Sequence, residues 1–286
     1  MIAHDPSHAA ARNRLDANAN FTEHKGNTLS LADMSAALHP AVPGIDHLRR
    51  IASPATDFRV MPFGIAALDA RLGGGGLRAG ALHEATPRSP SLADDAAATL
   101  FLAGIAAREA IATGGLVLWV SCRTDLYAPA LEQAGLPAAS VIYAQPRDDT
   151  ALLAVVEDAV RDGTPCAIVA EASKVSMVAT RRLQLVAGDA DIPILLLRRA
   201  RRLGQEVFNE PSAAWTRWRI GSVSSQRLAV AGVGRPRCSL ECSRQRGGES
   251  FTMIVEGSDE TGRLAVPADL SHRSAEAAGT VRSAAA

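Results

Sequence analysis

Between residues 81 and 197 the chain alternates short apolar runs with helical stretches, in unbroken order. Residues 81–84 form the expected first core strand. An alanine-rich helix follows over 91–112, with Leu92, Ala96, Leu100, Ala103 and Ala107 near one stripe, stopped by Gly114-Gly115. The runs 116–121 (LVLWVS), 141–144, 166–170 (CAIVA) and 192–197 (IPILLL) predict strands, separated by helices over 126–134, 149–161 and 175–187, with Asp149 or Thr150 as the cap of the second. Strands this continuously apolar are buried on both faces, as in a parallel sheet covered by helices. That pattern excludes an all-α bundle and an all-β sandwich. No run reaches the roughly 18 apolar residues of a membrane span, and residues 1–20 carry no signal-like apolar core, so the expectation is a cytoplasmic protein without membrane contact.

After residue 197 the pattern changes to loops and shorter strands at 215–220, 239–243 and 251–255. Arg246-Gly247-Gly248-Glu249 is a hairpin turn joining the last two, which adds an antiparallel edge to the parallel core. Gly73 to Gly76 precede the first core strand and so form a structural turn. A dinucleotide fingerprint would place its glycines after the strand. The first 44 residues are polar and hold His4, His8, His24 and His39 at spacings too wide for a metal site. Near-helical spacing marks 28–40 and 45–52 as short helices. The expected organisation is a flexible extension over 1–44, one domain over 45–267 and a flexible tail over 268–286.

A parallel sheet whose first strand leads into a long helix invites a search for a phosphate loop. That loop needs G-x-x-x-x-G-K-[ST], so that backbone amides cradle phosphate, lysine meets the outer oxygens and the hydroxyl holds magnesium. The stretch here is Ala85-Thr86-Pro87-Arg88-Ser89-Pro90-Ser91. It holds no glycine, no lysine and two prolines, which lack an amide donor. Asp94 and Asp95 follow, suiting a helix N-terminus but repelling a polyphosphate. Composition sharpens the point. The 30 basic residues include only two lysines, Lys25 and Lys174, and neither lies near this loop. ATP turnover is therefore not expected.

Other catalytic constellations are weak. Ser121 and Cys122 end a core strand, but a nucleophile needs a base, and the core's one histidine, His83, lies on the first strand. Glu171 ends another strand, where an acid of a nucleotide site would stand; without a phosphate loop it is expected to be a solvated strand-end carboxylate. Cys238 and Cys242 form a lone C-x3-C pair, too few ligands for zinc. No cofactor, no metal and no catalytic residue is expected.

Acidic and basic residues balance at 30 each, yet the charge is segregated. Between Arg198 and Ser250 there are 11 Arg and 4 Glu, a net charge of +7. The stretch opens with Arg198, Arg199, Arg201 and Arg202, resumes through Arg217, Arg219, Arg227, Arg235 and Arg237 to Arg244 and Arg246, and interleaves Trp215 and Trp218. Arginines with aromatic residues serve single-stranded nucleic acid or an acidic protein surface, or they form a solvated rim. Arg198, Arg199, Arg201, Arg202, Trp215, Trp218, Arg244 and Arg246 are the candidate contacts with a partner or DNA. On that reading a double Arg198→Ala, Arg199→Ala change weakens binding and spares the fold.

Residues 63–72 (FGIAALDARL), the glycine turn and residues 76–84 (GLRAGALHE) resemble the entry to a RecA core, which leads into a phosphate loop. Gly135-Leu136, Gln145-Pro146 and the CAIVA–Glu171 strand continue the RecA-like order. With a degenerate phosphate loop at Thr86, Pro87, Arg88 and Ser89 and an Arg-Gly-Gly hairpin, the chain resembles the ImuA family over about residues 45–265. The resemblance implies a RecA-like, mostly parallel sheet flanked by helices, with a C-terminal antiparallel hairpin. It further implies a non-catalytic accessory role in damage-induced translesion synthesis, beside an ImuB-type polymerase-like protein, RecA and, indirectly, an error-prone DnaE-type polymerase. The positions of the RecA ATPase residues fall near Leu92, Ala93 and Ser121-Cys122, and only Glu171 keeps an acid. A SulA-like inhibitor of cell division shares the same background and is the alternative; an active DNA-dependent ATPase is the third reading.

Overall fold

A computed structural model describes residues 58–199, 207–225, 228 and 232–267. A boundary at Thr56/Asp57 divides the chain into two units, and every described residue belongs to the second. The expected N-terminal extension, the helices at 28–40 and 45–52, the C-terminal tail, and Arg201, Arg202 and Arg227 lie outside the described residues.

The elements run β1 (Val60–Met61), α1 (Ala66–Asp69), β2 (Leu77–Arg78), β3 (Leu82–Pro87), α2 (Leu92–Thr113), β4 (Val117–Ser121), α3 (Ala128–Gln133), β5 (Val141–Ala144), α4 (Asp149–Asp162), β6 (Ala167–Ala172), α5 (Met177–Ala190), β7 (Ile194–Arg198), β8 (Thr216–Val223), β9 (Arg237–Gln245) and β10 (Phe251–Glu256). β1 and β2 form a small antiparallel pair, and the other eight strands form one sheet in the order β10-β9-β8-β3-β7-β6-β4-β5. From β8 to β5 neighbouring strands are parallel; β9 and β10 add an antiparallel edge. The Gly247 turn joins those two strands, as the sequence pattern predicts.

The local chemistry sets the helix ends. The Ser91 side chain caps α2 by accepting from the Asp94 amide, and Gly114 closes it at φ 68°. Asp148, one residue before the expected cap, receives the Ala151 amide at the start of α4. Ser176 does the same for α5 through Ala179. α2 is buried along most of its length because it lies across one face of the sheet, with Phe101, Leu102 and Ile105 against Trp119, Val169, Leu197 and Trp218. It is the one described helix long and apolar enough to cross a membrane, and it is a core helix. On the other face α4 and α5 pack Leu152, Val156 and Leu183 on Val120, Ile168 and Leu196. The two faces bury alternate residues of each strand, which is why β4, β6 and β7 are apolar throughout.

The glycine turn has a packing reason. A Cβ on Gly73 would lie 2.9 Å from the Gly247 carbonyl oxygen, and one on Gly76 would lie 2.7 Å from that of Met61. The turn therefore admits the β9–β10 hairpin and the β1 strand at backbone distance. The Gln245 amide pins it by donating to the carbonyls of Arg71 and Glu249 and accepting from the Gly73 amide.

Candidate functional site at the strand ends

The parallel strands point their carboxyl ends at one pole, where α/β proteins place their ligands. The connection from β3 to α2 stands there, and its polar groups are turned inward. The Arg88 amide donates to the Ile220 carbonyl at 2.8 Å, the Ser91 amide to Ser89 Oγ, and the Asp94 amide to Ser91 Oγ. Asp94 in turn accepts from Ser89 Oγ and from the Ser222 amide. Thr86 Oγ1 donates to the Arg198 carbonyl, tying the ends of β3 and β7 together. Of Thr86, Pro87, Arg88 and Ser89, only Arg88 carries charge, and its aliphatic stem lies against Gly221.

Beyond this connection Arg199 fills the corner between α2, β4 and β6. Its side chain is 10% exposed and meets three carboxylates: Asp95 at 3.1 Å, Glu171 at 3.3 Å and Asp125 at 3.5 Å. It also donates to Thr99 Oγ1 at 2.9 Å. Glu171 is not the solvated carboxylate expected from its place at a strand end. Its side chain is 2% exposed, and one oxygen accepts from Trp119 Nε1 at 2.7 Å. Burial raises the Glu171 carboxyl above its ordinary range, while the Arg199 charge and the Trp119 bond pull it back. Arg123 holds Asp125 ionised by hydrogen bonding and lowers its pKa. A cavity of about 160 Å³ remains beside Arg199, lined by Cys122, Arg123, Asp149, Glu171 and Ser173.

A second ionic cluster lies on the other face of the sheet. Glu84 accepts from Ser212 Oγ at 2.8 Å and Arg217 Nε at 2.9 Å, and pairs with Arg198 at 3.4 Å. Arg198 also meets Glu210 at 3.0 Å. Burial lowers the Arg217 pKa, against the pull of Glu84. Phe208 covers its guanidinium at 4.1 Å.

These clusters correct the expectation that Arg198 and Arg199 stand free for a partner. Both are internal counter-charges, so changing them to alanine cuts the buried network. Trp218 is likewise core, 1% exposed among Phe63, Phe101 and Phe251. Trp215, Arg244 and Arg246 do come together, at the opposite pole of the sheet. Sequence reading missed Asp125 and Glu84 as partners of these arginines. An arginine run directly after an apolar strand such as ILLL was the available signal, since a buried strand end needs carboxylates for its cations.

His83 and Cys122 are not brought together, since β7 and β6 separate their strands. His83 is buried, with one ring nitrogen 2.8 Å from Thr216 Oγ1 and the other 2.8 Å from the Arg78 carbonyl. Burial lowers its pKa to about 4. Cys238 and Cys242 are buried free thiols on β9, pushed up to about 12 by burial. Among the described residues no cluster of three or more His, Cys, Asp or Glu has metal-site geometry.

A mostly parallel sheet with this helix cover, an antiparallel C-terminal edge and its polar cluster at the strand ends defines a RecA-like protein. The solved RadB recombinase has the same fold, with a TM-score of 0.50 over 72% of this chain and 99% of RadB, at 15% identity. No family model matches the chain. Protein ImuA of Caulobacter vibrioides (strain NA1000 / CB15N) is 34% identical over 205 residues, spanning 70% of this chain and 84% of that protein. Protein ImuA of the strain ATCC 19089 / CIP 103742 / CB 15 matches to the same extent. The chain belongs to the ImuA family.

Proposed function

We propose that the protein is a non-catalytic RecA-like adaptor of damage-induced translesion synthesis. In this reading it bridges an ImuB-type polymerase-like subunit, RecA and, indirectly, a DnaE-type polymerase. Its working part is a RecA-like domain over 45–267, with 1–44 and 268–286 as extensions. The observation that carries the reading is the strand-end corner. A nucleotide site there needs free amide donors and a mobile cation for the phosphates. In this chain the Arg88, Ser91 and Asp94 amides are already bonded, and Arg199 is locked among three acids. The acids Asp95, Asp125 and Glu171 outnumber the arginines Arg123 and Arg199, so the corner repels a polyphosphate. Family membership supports the mutagenesis context.

Two measurements test this together. Purified protein should show no saturable ATP binding and no hydrolysis, with or without single-stranded DNA. A gene deletion should abolish induced mutagenesis while leaving viability after mild damage nearly intact. ATP turnover sensitive to Glu171→Ala would overturn the non-catalytic reading. Unchanged mutagenesis, with filamentation on overexpression, would favour the SulA-like alternative.

A further inference from the structure

At the pole opposite the strand ends, an arginine cluster is built without carboxylate partners among the described residues. Trp215, half-buried just before β8, has the Arg78 guanidinium over its ring at 4.7 Å and that of Arg246 at 5.2 Å. Arg78 also lies over Phe58 at 4.9 Å, and Phe58 meets Trp215 edge-on at 6.0 Å. Arg246 donates to the Ala213 carbonyl at 3.1 Å; Arg244 donates to those of Ser212 and Ala214 at 2.9 and 2.6 Å. Arg71 is tied to the same hairpin turn, because Gln245 holds its carbonyl and its guanidinium lies over Phe251.

The contrast with the rest of the domain is chemical. Arg198, Arg199 and Arg217 are each matched by acids inside the fold. Arg71, Arg78, Arg244 and Arg246 make no ion pair among the described residues and are held by rings and backbone carbonyls. Arg71, Arg244 and Arg246 are exposed. The acid in the turn itself, Glu249, pairs with none of them. Carbonyl and ring contacts fix the direction of a guanidinium without neutralising it. Its remaining N–H groups are therefore preorganised for an external anion.

We propose that this face, Arg78, Arg244 and Arg246 around Trp215 with Arg71 beside the turn, docks an acidic segment of a partner protein. Carboxylates fit the planar forks bidentately. Single-stranded nucleic acid fits less well, because it needs open aromatic faces for stacking. Trp215 is already engaged by two guanidiniums and Phe58, while Trp119 and Trp218 are buried. The exposed Tyr127 and Tyr143 belong to the β4–β5 side of the sheet, the far edge from the hairpin. The inference deepens the adaptor reading by naming the chemistry of one partner surface. Its test uses binding by purified protein, so it stands or falls separately from the mutagenesis assay.

The test measures fluorescence anisotropy of a labelled dodeca-glutamate peptide and of a labelled thymidine dodecamer on the full chain. Saturable peptide binding is expected, weakening between about 50 and 300 mM salt. Arg244→Ala with Arg246→Ala should weaken it at least about tenfold with an unchanged melting curve. The single variant Arg246→Glu, which keeps both Arg244 bonds to Ser212 and Ala214 in place, should do the same. Arg147→Ala, at an exposed position outside the cluster, should leave binding as it was. No saturable peptide binding, or binding unchanged in both hairpin variants, would overturn the proposal. So would an oligonucleotide bound more tightly than the peptide through the same arginines.

Discussion

Replacing Arg199 by alanine probes the strand-end corner directly. The change removes ion pairs to Asp95, Asp125 and Glu171 and the bond to Thr99. Leaving one charge of a buried pair uncompensated costs roughly 3–5 kcal/mol. Glu171 carries that cost, because Asp95 and Asp125 are 25% and 45% exposed and regain water. The expected loss is therefore near the lower figure, about 3 kcal/mol, or about 6–12 °C in Tm for a domain of this size. The loss should depend on pH. Glu171 has its folded pKa raised above the ordinary carboxylate value by burial, so the native state keeps its proton longer than the unfolded chain. Stability then falls as pH rises from the unfolded value through the folded one. Removing Arg199 raises the folded pKa further and widens that window upward. Urea unfolding followed by circular dichroism and tryptophan fluorescence, at about pH 5 and about pH 8, reads both effects. The variant should be closer to wild type at the lower pH, and Glu171→Gln should recover part of the loss. A loss below about 1 kcal/mol, equal at both pH values and unrelieved by Glu171→Gln, would refute the reasoning.

Three further outcomes are expected. His83 has its folded pKa depressed to about 4 against an ordinary 6.5. It contributes stability that is complete above the ordinary value and is lost as pH falls toward about 4, a ceiling of about 3 kcal/mol. Urea midpoints across that range should flatten in His83→Gln. Trp218→Ala should cost about 3–5 kcal/mol in urea unfolding, since it empties the aromatic cluster of Phe63, Phe101 and Phe251. Gly73→Ala should cost about 1–3 kcal/mol, because the new methyl meets the Gly247 backbone. Faster hydrogen exchange at Gly247 and Gly248 would locate that effect in the turn.

Much of the fold was legible from the chain. The parallel core, the order of its elements, the hairpin at Gly247 and the stop at Gly114 all follow from periodicity and turn chemistry within a few residues. Errors there were small, such as the cap of α4 at Asp148 where Asp149 or Thr150 was expected. The departure of residues 85–91 from the G-x-x-x-x-G-K-[ST] pattern is readable directly, because that motif is contiguous. The ionic clusters were not legible in the same way. Charge counting marked the stretch after residue 198 as basic but could not tell a buried arginine from a surface one. Arg198 and Arg199 are neighbours in sequence, yet they point to opposite faces of the sheet and serve different acids. Arg246, which looked the same in composition, stands exposed over Trp215.

The sequence by itself determined the class of fold and the departure of residues 85–91 from the G-x-x-x-x-G-K-[ST] pattern, because both are written in short-range patterns of apolarity, glycine and lysine. Only the tertiary structure decided which arginines pair with acids within the fold and which are held by rings and backbone carbonyls. Glu84 meets Arg198 across 114 residues and Arg217 across 133. Whether a charge is neutralised depends on what the sheet order brings within a few ångströms of it, and no local pattern encodes that distance.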